Sequence, residues 1–235
     1  SEFIGLIEAE GDHDLNKKNS FQFANTNKKI IELYLSCIFK IFKKPNIKYF
    51  LLIPNNLKNK KDEILYYWGR PANKINIIFD DRRRKPAMNI HLSGILYPRI
   101  LGILKSHIFE RYISTSKSLF NHFLKGKFEG DGHFYFSKLK YPVFTIAYST
   151  NEKIIANRDN VLINKFYNFK LSTQKSSSKN CFLLRTYNIL EILKISANLN
   201  MKEVPYKKIL NLIHNNFNLL YISLDKNVRK ILFNN

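Results

Sequence analysis

Apolar positions along the chain fall into two periods. Residues 2–10, "EFIGLIEAE", are apolar almost throughout and stop at a glycine, so the pattern predicts a largely buried helix there. Alternation then predicts strands over 12–17 and 20–26. A helix over 27–43 follows, with Ile30, Ile31, Leu33, Leu35, Ile38 and Ile41 on its buried side. "IKYFLLI" at 47–53 reads as a buried strand, and a short helix, 61–69, ends before Pro71. Strands 74–80 and 87–93 read as a hairpin with a basic tip, and helical sequence fills 95 to about 112. Beyond that the predicted elements are a helix 117–131, strands 133–140 and 143–149, and a helix 151–166. A hairpin 168–173/180–186 and helices near 188–198, 204–216 and 223–231 complete the chain.

The two ends of this pattern repeat one another. At one offset of 121 residues, Gly5 falls on Gly126, Glu8 on Glu129, Glu10 on Asp131 and Gly11 on Gly132. Five of the eight glycines lie in these two windows, which marks an internal duplication. The echo continues downstream, where Phe21, Phe23 and Ala24 correspond to Phe144, Ile146 and Ala147. Each segment then reaches a Thr-Asn pair, Thr26-Asn27 or Thr150-Asn151, with the character of a helix cap. The halves divide at 1–112 and 113–235, with a short ordered join over about 108–118; segment 47–69 has no evident counterpart and reads as an insertion.

Small residues four apart, Gly5 with Ala9 and Gly126 with Gly130, share a helix face and permit close helix–helix packing. Packing of the two repeats through those faces brings Glu10 and Asp131 side by side. Two carboxylates so placed call for a cation, and a hard divalent ion with oxygen ligands suits them.

Composition adds the partner. Lys and Arg total 39 against 18 Asp and Glu, a formal charge of +21, which favours a polyanion and above all nucleic acid. No run of apolar residues is long enough to span a membrane, no signal-peptide pattern opens the chain, and no lipidation signal is evident. The two cysteines, Cys37 and Cys181, are far apart in apolar surroundings and read as small core residues of a protein from a reducing compartment. The Lys, Asn, Ile and Phe bias points to an AT-rich genome, organellar or bacterial. No P-loop, G-x-S-x-G or kinase pattern is present, and the six histidines show no metal-ligand spacing.

Phe3–Gly11 and Leu124–Gly132 resemble the nine-residue signature of LAGLIDADG homing endonucleases, in the single-chain, two-motif form. The resemblance implies an α+β fold of tandem αββαββα repeats, with two mostly antiparallel β-saddles joined through a central pair of packed signature helices. It implies a monomer that binds a long asymmetric double-stranded DNA site in the major groove and cleaves both strands by metal-dependent hydrolysis. Mg²⁺ is the expected ion, with Mn²⁺ as a substitute and Ca²⁺ as a non-cleaving one. Glu10 and Asp131 become bridging ligands, assisted by the backbone oxygens of Ala9 and Gly130; Glu8 and Glu129 take supporting positions. Lys202 and Lys105 are the expected basic residues of the two half-sites. Asn25 takes the place of a polar water-orienting residue, with Tyr148 as its less typical counterpart. Expected DNA contacts are Ser20, Gln22, Asn25 and Thr26 on the outward face of 20–26, the tip Arg82, Arg83, Arg84 and Lys85, and Lys138, Lys140, Thr145, Lys170, Lys175 and Lys179, with Arg111, His13 and His133 as further candidates. Lys125 and Lys127 depart from the signature, and Lys127 is expected to snorkel outward or loosen the packing. The same family also includes RNA maturases, cleavage-inactive DNA binders and transcription regulators.

Overall fold

A computed structural model describes residues 1–11, 19–69, 74–137, 141–176 and 181–200, together with Ile209. The predicted strand 12–17 and the predicted helices 204–216 and 223–231 lie outside the described residues, apart from Ile209. The chain separates into two compact units, Ser1–Thr115 and Ser116–Asn235.

The first unit opens with α1 (Glu2–Glu10), whose buried residues run from Ile4 to Ala9. Strand β1 (Ser20–Asn25) follows, then α2 (Lys28–Ile41), capped where the Asn27 side chain accepts the Lys29 backbone N–H. Next come β2 (Ile47–Ile53), a 3-10 turn over Asn55–Lys60, α3 (Lys61–Trp68), β3 (Ile75–Phe79) and β4 (Ala87–Ser93). Helix α4 (Leu96–Ile108) ends the unit in a π-turn over Phe109–Ile113.

The sheet order is β1-β4-β2-β3, with β2 antiparallel to β4 and parallel to β3. This corrects the predicted hairpin: β3 and β4 are not neighbours, because β2 lies between them. Alternation identifies each strand but carries no information about which strand fills the gap between two others. Arg82–Lys85 is therefore a crossover connection, not the tip of a two-stranded ribbon.

Phe21, Phe23, Met88, Ile90, Leu51 and Ile53 face the core. There Phe23 stacks on Tyr34 of α2 with ring centroids 4.1 Å apart. The Tyr34 hydroxyl is buried without a hydrogen-bond partner, and burial pushes its ionisation well above the usual tyrosine range. Tyr34→Phe keeps the stack and removes the unsatisfied oxygen, so it is expected to stabilise the protein by about 1 kcal/mol in chemical denaturation.

The second unit realises the whole expected element string: α5 (Lys117–Asp131), β5 (Gly132–Ser137), β6 (Tyr141–Ser149), α6 (Lys153–Tyr167), β7 (Ser172–Lys175), β8 (Cys181–Thr186) and α7 (Ile189–Leu199). Its sheet order is β5-β6-β8-β7, antiparallel throughout. The cap before α6 is a Ser149–Glu152 box over a 3-10 turn, so Ser149 takes the role expected of Asn151.

The repeat survives in the strand registers. Phe23 lies opposite Ile90 where β1 meets β4, and Ile146 lies opposite Leu184 where β6 meets β8. By this matching β2 holds the place of β7, so the predicted insertion shifts: among the described residues, the elements without a counterpart lie in 55–69 and 74–79 rather than beginning at 47. Cys37 and Cys181 are free and half-buried, which corrects their reading as core residues. Among the described residues, no helix is long and apolar enough to cross a membrane.

Candidate functional site

The two signature segments fold alike. Both helices end at a glycine with extended backbone, Gly11 at φ −88° and ψ 169° and Gly132 at φ −84° and ψ 152°. A β-carbon on Gly11 would sit 2.5 Å from the Ile7 carbonyl oxygen and 2.6 Å from the Phe21 ring. On Gly132 it would sit within 2.2 Å of the Phe128 ring. Glycine is required at both places by close approach, not by a left-handed backbone. The chain thus turns sharply from helix towards strand, leaving Glu10 and Asp131 as the last helical side chains, each half-buried. Each stands at a helix C-terminus, where partial negative charge from the final carbonyls favours a cation. Gly5, Ala9 and Gly126 are buried and Gly130 is half-buried.

In the first unit Glu10 Oε1 accepts a 2.8 Å hydrogen bond from Asn25 Nδ2. Asn25 is thereby corrected. It was expected on the outward face with Ser20 and Gln22, yet it shares the buried face with Phe21 and Phe23, because odd-numbered positions of β1 point inward. Its Oδ1 also accepts the Asn27 backbone N–H at 2.7 Å, which fixes its amide toward Glu10. Lys105, on α4, brings Nζ to 3.7 Å from the wholly buried carboxylate of Glu8. Removing a cation from beside a buried carboxylate is costly. Lys105→Met is therefore expected to lower stability by about 1–3 kcal/mol in thermal or urea unfolding. An unchanged midpoint would free Lys105 of any structural role.

The second unit places different groups around its acid. Burial, with a smaller contribution from Glu152, pushes the Asp131 carboxyl up to about 7, while the Lys127 ammonium one helical turn earlier pulls the other way. Contrary to the expectation that it would snorkel outward, Lys127 is wholly buried, with Nζ 4.7 Å from the centroid of the Tyr148 ring. The Tyr148 hydroxyl donates to Asp159 at 2.9 Å, and Arg158 donates to the other Asp159 oxygen at 2.7 Å. Tyr148 thus stands at the position of Asn25 but binds this network. Glu129 pairs with Lys125 at 3.6 Å on the same helix.

The outward sheet faces carry polar rows in matching register. In the first unit Gln22, His91 and Lys48 lie side by side across β1, β4 and β2. In the second, His133, Thr145, Arg185 and Ser172 lie across β5, β6, β8 and β7. Thr145 Oγ1 and Arg185 Nε are buried without a hydrogen-bond partner, and so is Asn89 Oδ1 on the first sheet's outward face. His91, Lys48, Asn89 and Arg185 escaped the sequence reading, since only pairing register reveals which residues of separate strands share a row. Ser20 and Gln22 are half-buried on this face as expected.

Of the expected phosphate contacts, Arg82 forms a two-point ion pair with Asp80 at 3.0 and 3.1 Å and holds that carboxyl below its usual range. Arg84 and Lys85 are exposed and Arg83 is half-buried. Lys170 and Lys175 are exposed at the β7 edge, and Arg111 is exposed in the π-turn. Lys138, Lys140, Lys179, Lys202 and His13 lie outside the described residues.

Glu10 and Asp131 offer hard oxygen donors. Among the described residues there is no group of three or more His, Cys, Asp or Glu able to hold a metal by themselves. The Asp131 carboxyl, half-buried, ionises less readily than an ordinary aspartate, chiefly through loss of solvation. A single carboxylate of this kind is the donor type Mg²⁺ takes, since that ion is bound through one or two carboxylates with water and phosphate completing its shell.

Comparison with solved structures gives the class of fold. The chain resembles full-length DUF199/WhiA from Thermatoga maritima with a TM-score of 0.57 and 16% identity, over 91% of this chain and 60% of that one. It resembles the N-terminal LAGLIDADG domain of DUF199/WhiA with a TM-score of 0.54 and 16% identity, over 90% and 84% of the two chains. The I-LtrWI LAGLIDADG homing endonuclease bound to target DNA is also matched, at a TM-score of 0.45 and 15% identity over 99% and 95%. The fold is that of LAGLIDADG proteins. The chain spans about three-fifths of full-length WhiA. No protein-family model matches the sequence, and no curated protein matches it.

Proposed function

We propose that this protein is a site-specific double-strand DNA endonuclease in which Glu10 and Asp131 are the metal-bridging acids. The observation that carries the reading is the pair of helix ends with like backbone, each presenting one carboxylate just before a sterically required glycine. The net charge of +21 supplies attraction to a polyanion. The polar rows Gln22–His91–Lys48 and His133–Thr145–Arg185 supply surfaces that a major groove can accommodate.

When bound, Mg²⁺ lowers the pKa of a water and offsets charge building at the scissile phosphate. Asn25 holds the Glu10 carboxylate by its amide N–H and so fixes the direction of that oxygen. Lys127 keeps a positive charge one turn from Asp131, favouring the ionised carboxylate that a cation requires. The backbone oxygens of Ala9 and Gly130 are further donors, and Lys105 and Lys202 the basic residues of the two sites. The test is plasmid cleavage with Mg²⁺ beside Glu10→Gln and Asp131→Asn; equal cutting by both variants would overturn the assignment.

A second reading, DNA binding without cleavage, is favoured by Lys127, because a buried ammonium beside Asp131 already supplies part of the charge a metal would bring. Both readings require salt-sensitive binding. With about six phosphate contacts, doubling the salt concentration is expected to weaken binding about 40-fold. A filter-binding titration checks this, and a flat response would remove the basic surface from the account.

A further inference from the structure

The described residues of 55–69 and 74–79, which have no counterpart among the described residues of the second unit, do more than enlarge the first sheet. Their 3-10 turn and α3 wall a cavity of about 650 Å³ against the start of α2 and the β3–β4 crossover. That volume is within the range of about 300–1,000 Å³ usual for small-ligand sites. The lining is of three chemical kinds. Tyr67 and Trp68 give aromatic surface, Lys60 and Lys85 give cations, and Glu63 gives an acceptor. Asn27, the N-cap of α2, also lines it, so the positive end of that helix adds to the lysines.

Two details mark a formed site. Trp68 is 4% exposed, and its indole N–H has no hydrogen-bond partner, a cost normally met by a ligand or water. Tyr67 is held in place although 57% exposed: Lys28 Nζ donates to its carbonyl at 2.9 Å and lies 5.6 Å from its ring centroid. A ligand suited to this lining has a flat apolar face, an anionic group and a hydrogen-bond donor.

We propose that the cavity binds a nucleoside phosphate, the base against Tyr67, the phosphate against Lys60 and Lys85, and a hydroxyl or amino group donating to Glu63. The nucleotide comes either free in solution or as an unpaired member of a strand. The site stands apart from cleavage, although Asn27 connects it to Glu10 through Asn25 by hydrogen bonds of 2.7 and 2.8 Å.

Trp68 is the chain's single tryptophan, so its fluorescence reports directly on the cavity. The full chain is titrated with adenosine monophosphate and, separately, with a short single-stranded oligodeoxyadenylate. Saturable quenching is expected, weakened about tenfold by Tyr67→Ala and by Lys60→Ala, both exposed positions whose replacement spares the core. A response to the mononucleotide identifies a free ligand, and a response to the oligonucleotide alone identifies an unpaired nucleotide in a strand; either supports the proposal. No saturable change with either probe, or quenching indifferent to both substitutions, overturns it. Glu10→Gln should quench like the parent, so loss of cleavage and loss of this site are told apart.

Discussion

Glu10→Gln is expected to lower the rate of double-strand cleavage by about 10³-fold or more, and Asp131→Asn to do the same, while neither weakens DNA binding appreciably. A carboxylate that helps to hold the ion affects the barrier twice, through activation of water and through stabilisation of charge on phosphorus. Conversion to the amide keeps volume and hydrogen-bonding capacity but removes the negative charge a hard cation needs. Asn25 should still donate to the remaining carbonyl oxygen at position 10, so the fold around Glu10 is retained. Single-turnover cleavage beside gel-shift binding separates the two effects. Variants that bind and cut like the parent would place the chemistry elsewhere.

The second large effect is on stability. Burial pushes the Asp131 carboxyl up to about 7 in the folded protein, well above the usual aspartate value of about 4. A carboxyl raised in this way favours the folded state only while it is protonated. Between those values the unfolded chain releases its proton and the folded one keeps it, so stability falls as pH rises from about 4 to 7 and stays low above. Asp131→Asn lacks that loss. The variant is expected to match the parent near pH 4 and to exceed it by about 2–4 kcal/mol at pH 8 without metal, which is about 30- to 900-fold in the unfolding constant. Urea denaturation across that range measures it, and a difference independent of pH would show an ordinary exposed acid. A stability cost of this kind at a proposed metal ligand is the trade expected where function, not folding, selects the residue.

Both signature helices were legible in the sequence to the residue, because glycine and acid at one spacing, repeated 121 positions apart, leave a mark that local periodicity alone does not. Strands β1 and β6 were legible for the same reason, their aromatic and aliphatic positions recurring together. What the sequence withheld was non-local. The place of β2 between β3 and β4 depends on a pairing across dozens of residues. Asn25 was misplaced by a single step of alternation, and a one-residue error on a strand exchanges the two faces. Lys127 offended the expected apolar pattern, and the position of Tyr148 beneath its ammonium is a tertiary contact that the sequence does not reveal. The cavity beside Trp68 could not be foreseen, since its walls come from three segments distant in sequence.

The most direct measurement is recovery of cut sites from a randomised double-stranded DNA library incubated with Mg²⁺ and the full chain. Paired ends drawn from one long asymmetric sequence, absent without the ion and absent with either Glu10→Gln or Asp131→Asn, are the predicted result. A library left intact, or ends that persist in both variants, would contradict the nuclease.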